Sequence, residues 1–201
     1  MLAKDSGLPR DVIVERGYRT VTEKDELKDL GFAPAQARVP ALLIPLHDVN
    51  GPNLLHVLRP DQPRKIRKKP LKYEYPKGER LILDVPPRAQ SRLGDPAQIL
   101  YVTEGAKKAT ALAAQGVCAI NLNGVWGWKG RNPAGGKTAL PDWDAAALNG
   151  RSVVLAFDSD VTSKPEVAKA LGRLKNFLEL RGAVIRILYL PEDGFRQAGR
   201  R

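Results

Sequence analysis

The sequence predicts an α/β fold in which a parallel sheet flanked by helices follows a small α+β basic subdomain with a β-hairpin. From residue 99 onward, short apolar strands alternate with helical segments, which is typical of parallel strands joined by right-handed crossovers. Before that point, the apolar runs 41–46 and 54–58 flank a turn, which predicts the hairpin. We therefore expect two parts, residues 1–97 and 98–201.

The first part is expected to begin with two short helices, over residues 9–17 and 22–31. Thr22 has the side chain of an N-cap for the second helix, and Gly31 is placed to end it. A stretch rich in proline and polar residues, 86–97, is typical of a linker to the second part.

In the second part, predicted strands alternate with predicted helices. Each predicted strand is a short apolar run, and a glycine follows each predicted helix. We expect strands over residues 99–103, 117–122, 152–157 and 183–190, and helices over 106–115 and 165–181.

The composition narrows the classes of protein. The 201 residues include 33 Lys and Arg against 22 Asp and Glu, a net charge of +11. This excess indicates a polyanionic partner, nucleic acid first and an anionic membrane second, and a ribosomal-type coat of charge is the alternative. A lone cysteine, Cys118, with two histidines excludes a disulfide framework and a zinc finger. Since no run of 18 apolar residues and no signal peptide is present, we expect a cytoplasmic protein that does not enter a membrane.

The positive charge is concentrated between residues 59 and 72, here called the basic segment. Three prolines in it discourage a helix, so a basic loop is expected. Tyr73 and Tyr75 follow and offer ring faces for stacked bases. A solvated loop that merely tolerates charge is the alternative, but clustered cations in a loop favour contact with phosphates. The cations are Arg59, Arg64, Lys65, Arg67, Lys68, Lys69 and Lys72.

Three carboxylates follow strands of the predicted parallel sheet. Glu104 comes at the end of one strand, and Asp158 and Asp160 follow another. Function in open α/β sheets gathers at the carboxyl ends of strands, and oxygen ligands of this kind suit Mg²⁺ or Mn²⁺. The alternative is that the aspartates cap the next loop and helix while Glu104 pairs with Lys107 or Lys108. The combination of two acidic strand ends favours the metal site.

The glycine-rich stretch 135–138 is not expected to be a phosphate-binding loop. Gly135-Gly136-Lys137-Thr138 lacks the glycine that such a loop needs at position 131, which is Arg131, and no strand precedes it directly. We expect instead a flexible basic loop in which Lys137 touches substrate. Three tryptophans flank it and either stack on bases or cover the sheet edge: Trp126, Trp128 and Trp143.

The order strand–Glu-Gly–helix, then strand–Asp-x-Asp–helix, resembles the TOPRIM domain of bacterial primases, of type IA and II topoisomerases and of some nucleases. Val102-Thr103-Glu104-Gly105 and Phe157-Asp158-Ser159-Asp160 look like the two acidic motifs of primases. Upstream, Arg59 and Lys72-Tyr73 follow the order of the basic primase subdomain. Asp84-Val85-Pro86-Pro87 and Asn123-Gly124-Val125-Trp126 resemble an uncharacterised TOPRIM-like family in replication proteins of phages, plasmids and mobile elements.

The resemblance implies a role for each matching residue. Glu104 would be the acid/base or metal-positioning carboxylate, and Asp158 and Asp160 would be metal ligands for Mg²⁺ or Mn²⁺. Arg59 and Lys72 would contact phosphates of the template or of the incoming nucleotide. The implied partners are single-stranded DNA, nucleoside triphosphates and a replicative helicase.

Three hypotheses for function follow. The first is primase-type nucleotidyl transfer on single-stranded DNA, and the second is metal-dependent strand cleavage by the same acids. The third is a DNA-binding module without catalysis. The third is favoured by the missing distal acidic pair, for which only Glu192 and Asp193 could substitute, and is opposed by the intact set of three carboxylates. A further departure from the primase pattern is Lys108, where primases commonly carry an acid.

Overall fold

Two sheets of different kinds form the core of the protein in a computed structural model, which describes residues 6–157 and 165–188 apart from the side chains of 52–54. A three-stranded antiparallel sheet has the order β1-β2-β3, and a four-stranded parallel sheet has the order β11-β10-β6-β7. The helices are α1 Arg10–Arg16, α2 Lys24–Asp29, α3 Pro87–Gln90, α4 Ala106–Ala114 and α5 Pro165–Leu180. The strands are β1 Arg19–Val21, β2 Ala41–Asp48, β3 Gly51–Pro60, β4 Lys65–Ile66, β5 Lys69–Pro70, β6 Leu100–Glu104, β7 Cys118–Leu122, β8 Lys129–Arg131, β9 Lys137–Ala139, β10 Ser152–Ala156 and β11 Val184–Leu188.

The predicted fold class is confirmed, and the hairpin is confirmed as β2 and β3. Strand β2 is apolar from Ala41 to Leu46 because both of its faces are buried there. Leu42, Ile44 and Leu46 join one apolar cluster, against which α4 also packs, while Ala41 and Leu43 join a second cluster under α2. A strand buried on both faces loses the alternation of polar and apolar residues that a half-buried strand shows.

The parallel sheet brings two strand ends to the same edge. Strand β6 pairs in parallel with β7 on one side and with β10 on the other, and Thr103 lies opposite Ala156. The carboxyl ends of β6 and β10 are therefore neighbours. This is the edge of an open α/β sheet at which ligands bind.

Helix α5 of the second part packs on the parallel sheet. Helix α5 buries one face through Ala170, Leu171, Leu174 and Leu178. Its Phe177 ring stacks on the Trp128 ring, with the centroids 5.0 Å apart. No helix of the described ranges is both long and apolar enough to span a bilayer.

The prediction of a linker over 86–97 is wrong. Helix α3 lies in this stretch, and Ala89 and Leu93 are buried in the core of the parallel sheet. The buried Arg151 guanidinium donates hydrogen bonds to the carbonyls of Arg92, Leu93 and Gln98. Pro86 and Pro87 stand at the start of helix α3 in this packed segment. A composition rich in proline therefore does not indicate a linker here. The boundary between residues 97 and 98 stays a prediction.

Two local predictions in the first part also need correction. Thr22 does not cap α2: Glu23 precedes the helix, and no side chain there bonds the free N–H groups. The basic segment is not wholly loop, because β4 and β5 pair as a small hairpin. Its two turn residues, Arg67 and Lys68, have φ of 47° and 67°, the left-handed geometry of a tight hairpin turn.

A buried carboxylate, Asp84, connects the two sheets. Its Oδ1 accepts a hydrogen bond from the Arg16 guanidinium at the end of α1 and a second from the His47 backbone N–H on β2, at 3.1 Å. Its Oδ2 accepts from the Asn121 side chain on β7, at 2.9 Å. Backbone hydrogen bonds of 3.1 and 2.8 Å also join Asp84 and Asn121. One fully buried charge is thus shared by elements from both parts of the chain.

We predict that Arg16→Met lowers the free energy of unfolding by about 3–5 kcal/mol, because it leaves the buried Asp84 charge without its ion-pair partner. Chemical denaturation of the purified chain measures this. Arg88→Met is the matched control, since it removes only the exposed ion pairs with Asp11 and Glu15 and should leave stability almost unchanged. Equal effects of the two substitutions would contradict the role given to Asp84.

We also predict a stability loss on acidification that depends on His47. Burial, and then the Arg16 charge, lower the pKa of His47 below its usual 6.5. Below pH 6.5 the unfolded chain therefore binds a proton that the folded chain does not, so stability falls as the pH falls through this range. His47→Gln should flatten the pH dependence of the free energy of unfolding between about pH 7.5 and 5.5. Parallel curves for the wild type and His47→Gln would refute this.

Candidate active site

Glu104 ends strand β6 at the ligand-binding edge of the parallel sheet, where its side chain is half-buried. The chain then turns sharply through Gly105, whose φ of 111° disfavours any residue with a side chain. The Gly105 N–H donates a 2.6 Å hydrogen bond to the Asn121 side-chain oxygen. Since Asn121 is itself held by Asp84, the buried network fixes the turn that directs Glu104.

Of the three predicted metal ligands, only Glu104 belongs to the described residues; Asp158 and Asp160 lie outside them. The last described residue before them is Phe157, which follows β10, the parallel neighbour of β6. The described ranges contain no group of three or more His, Cys, Asp or Glu that could hold a metal ion. The donor chemistry of Glu104, a carboxylate at a strand end, fits a hard divalent cation.

One cleft next to Glu104, here called the Tyr73 cleft, has a volume of about 620 Å³. It brings Lys72 and Tyr73, from the end of the basic segment, to the turn that begins α4. Tyr75 lines the same cleft and donates a 2.8 Å hydrogen bond to the Asn123 side-chain oxygen. Burial raises the pKa of Tyr75, and the charges of Asp84 and Glu104 raise it further, so its hydroxyl stays a neutral donor. The cations of this cleft are Lys72, Lys107 and Lys108.

The remaining cations of the basic segment do not line this cleft. Arg64 forms an ion pair with the buried Glu74, with its Nε 2.8 and 2.9 Å from the two carboxylate oxygens. Because Glu74 bridges to Leu58 on β3, this pair anchors the basic segment to the antiparallel sheet. Arg59 lies over the Tyr73 ring, 5.9 Å from its centroid. The exposed cations are Lys65, Arg67, Lys68 and Lys69, and their contact with phosphates stays a prediction.

A second cleft, here called the Trp126 cleft, opens on the other side of Glu104 with a volume of about 1100 Å³. Glu104, Asn123 and Gly124 line both clefts, so the two meet at the carboxylate. The wall of the Trp126 cleft is formed by residues 78–81, the turn 123–127, the β8–β9 hairpin and the first half of α5. Its cations are Arg80, Lys129, Arg131, Lys137, Lys169 and Arg173.

Lys137 lies in this second cleft, on strand β9 of a hairpin. The stretch Gly135-Gly136-Lys137-Thr138 therefore enters a β-strand and not a helix, which agrees with excluding a phosphate-binding loop. Of the three tryptophans, Trp143 and Trp128 are buried in the core and are not available for bases. Trp126 alone among them is partly exposed.

Sequence reasoning missed the residues that hold the site in place. No role was predicted for Asp84, Asn121 or Arg16, nor for the cations on α5. The signal for Asp84 was present: a carboxylate within the apolar run Ile82-Leu83-Asp84-Val85 indicates a buried, paired charge. Asn121 and Arg16 have no such signal, because their partners lie 37 and 68 residues away.

Solved structures of bacterial primases have a similar fold. The Aquifex aeolicus primase, with zinc-binding and RNA polymerase domains, has a TM-score of 0.63 at 14% identity, over 96% of this chain and 49% of that chain. The E. coli primase catalytic core has a TM-score of 0.59 at 16% identity, over 96% and 64%. A DnaG primase catalytic domain bound to ssDNA has a TM-score of 0.58 at 17% identity, over 96% and 65%. The fold is thus that of TOPRIM-containing primase cores, which confirms the resemblance predicted from the sequence.

Sequence comparisons give the family. An uncharacterized protein of Picosynechococcus sp. (strain ATCC 27264 / PCC 7002 / PR-6) is 31% identical in an alignment of 169 positions that covers 66% of this chain and 17% of that protein. The chain thus spans under a fifth of its curated relative, and about half to two thirds of the primase structures. A family model described as a domain of unknown function, DUF3854, matches residues 92–195, more than half of the chain. The chain belongs to the DUF3854 family.

Proposed function

We propose that this chain carries the core of a primase-type nucleotidyltransferase, which acts on single-stranded DNA in the replication of a plasmid, phage or mobile element. One observation carries the proposal. A carboxylate at the ligand-binding edge of a primase-like parallel sheet stands where two basic clefts meet. A strand of nucleic acid and a nucleotide both need cations for their phosphates, and phosphoryl transfer needs acids beside them.

The basic segment and the Tyr73 cleft would hold template and nucleotide. Lys72 supplies a cation beside Glu104, and Tyr73 supplies an exposed ring on which a base can stack. Arg59 lies against that ring and would help to orient it. The exposed cations of the basic segment would attract the DNA backbone from solvent. One primase core of similar fold is bound to ssDNA, which supports the same class of ligand here.

Glu104 with Asp158 and Asp160 would hold Mg²⁺ or Mn²⁺. Such an ion, when bound, neutralises charge on the transferred phosphoryl group and orients its oxygens. The chain itself contributes the rigid placement of Glu104. The short Asn121–Gly105 hydrogen bond and the buried Asp84 behind it keep the carboxylate at the mouth of both clefts. A preorganised carboxylate need not be reordered when substrate arrives.

We predict that the purified chain, given Mg²⁺ or Mn²⁺, single-stranded DNA and labelled nucleoside triphosphates, makes labelled oligonucleotides. Glu104→Gln should lower the rate at least about 100-fold, because it removes a carboxylate that the chemistry requires. Asp158→Ala/Asp160→Ala should do the same. All these variants should still bind single-stranded DNA, since the basic segment is unchanged. Gel analysis of the products and a filter-binding assay measure the two activities.

Glu23→Gln is the matched control, because it makes the same change at an exposed carboxylate next to α2. It should synthesise at the wild-type rate. Cleavage of a labelled strand without synthesis would overturn the proposal in favour of a nuclease. Salt-sensitive DNA binding with neither reaction would overturn it in favour of a binding module.

A further inference from the structure

We propose that the Trp126 cleft is a second binding site for single-stranded DNA, in which a base stacks on Trp126 and phosphates contact Lys129 and Arg173. The inference extends the proposed function, on which it rests for the identity of the polyanion. It concerns a surface distinct from the basic segment. The residues that carry it come from β8, from the turn before β8 and from α5.

The shape of the Trp126 cleft suits a segment of single-stranded DNA. It is open and of about 1100 Å³, and its wall is built from segments far apart in the sequence. The turn that presents Trp126 is tightly packed: a Cβ at Gly127 would come within 2.7 Å of the Asn123 backbone, so only glycine fits there. The backbone that carries Trp126 into the lining of the cleft is therefore tightly packed.

The charge of the cleft is strongly positive. Six cations and three carboxylates, Glu79, Glu104 and Glu166, line it. Only Arg80 among the six forms an ion pair within the described part of the chain, with Asp142 at 3.0 Å. Burial lowers the pKa of Lys129, and the nearby charges of Lys137 and Arg173 lower it further. Cations that repel one another in this way are stabilised when an anion binds between them.

The aromatic ring and the cations are in direct contact. The Lys129 ammonium lies 4.0 Å from the centroid of the Trp126 ring, and the Arg173 guanidinium lies 5.7 Å from it. Because the Lys129 ammonium lies over a face of the ring, a base that stacks on that face would displace it toward the adjoining phosphates. Stacking for a base and charge for the adjoining phosphates are the two contacts that single-stranded nucleic acid uses. Lys169 and Arg173 are four residues apart and lie on the same face of α5, which extends the charge along the cleft.

Single-stranded DNA fits this distribution of cations better than a free nucleotide does. The cations are spread over a hairpin, a turn and a helix, whereas the phosphates of one nucleotide need them at a single point. The cleft also continues at Glu104 into the Tyr73 cleft, so one strand could pass the carboxylate and occupy both.

We predict the effects on binding of a labelled oligothymidylate of about 12 nucleotides, measured by fluorescence anisotropy without nucleotides or divalent metal. Trp126→Ala should weaken binding roughly 5- to 150-fold and leave its salt dependence unchanged. Lys129→Gln/Arg173→Gln should weaken binding and lower the slope of log K against log salt by about 1.4, because two phosphate contacts are lost. Lys175→Gln removes one partly exposed cation from α5 outside the cleft and should bind like the wild type.

The proposal is overturned if both variants of the cleft bind the oligonucleotide like Lys175→Gln. It is also overturned if Trp126→Ala weakens binding of ATP but not of the oligonucleotide, since the cleft is then a nucleotide site. Thermal melting of each variant identifies misfolding. Should Trp126→Ala unfold, binding by Lys129→Gln/Arg173→Gln tests the proposal alone. Failure of the proposed function looks different: the wild-type chain then makes no oligonucleotide, while strand binding still depends on Trp126.

Discussion

The buried charge of Asp84 is the constraint on which the rest of the structure depends. A carboxylate without solvent must be paired and fully hydrogen-bonded, and Asp84 finds its partners on α1, β2 and β7. The two sheets are thereby held in one relative position. Because Asn121 also accepts a hydrogen bond from the Gly105 N–H, the same hydrogen-bond network extends to the turn after Glu104. The position of the site carboxylate is therefore linked to the packing of the whole chain.

The site joins two kinds of surface that neither sheet supplies alone. The parallel sheet contributes an acidic edge at Glu104, and the antiparallel sheet carries the basic segment to it. The pair between Arg64 and the buried Glu74 fixes that segment, and Arg59 lies against the Tyr73 ring. The cations that remain exposed are Lys65, Arg67, Lys68, Lys69 and Lys72. On the opposite side, the β8–β9 hairpin and α5 add a second basic cleft. Among the described residues, nine of the 33 lysines and arginines of the chain line the two clefts that meet at Glu104.

The sequence was sufficient for the strands and helices of the parallel sheet, because their apolar runs and terminal glycines are local signals. It failed at 86–97, where proline and polar residues hide Ala89 and Leu93, which become core residues only through contacts with distant strands. Thr22 failed as a cap because α2 begins after Glu23. For the site, the Glu104 strand end and the basic segment were predictable. The Trp126 cleft was not, since the cations of α5 meet β8 only in the folded chain.

The central claim, a divalent cation at the acidic edge of the parallel sheet, is tested most directly by iron(II)-mediated backbone cleavage. When hydrogen peroxide and ascorbate are added, Fe²⁺ bound in place of Mg²⁺ reduces the peroxide to hydroxide and a hydroxyl radical, and ascorbate returns the Fe³⁺ formed to Fe²⁺. The radical cuts the chain next to the ligands of the metal. We predict cuts near Glu104 and near residues 158–160. Excess Mg²⁺ should suppress both cuts, and both should be lost in Glu104→Gln. Cleavage elsewhere, or cleavage that Mg²⁺ does not suppress, would contradict it.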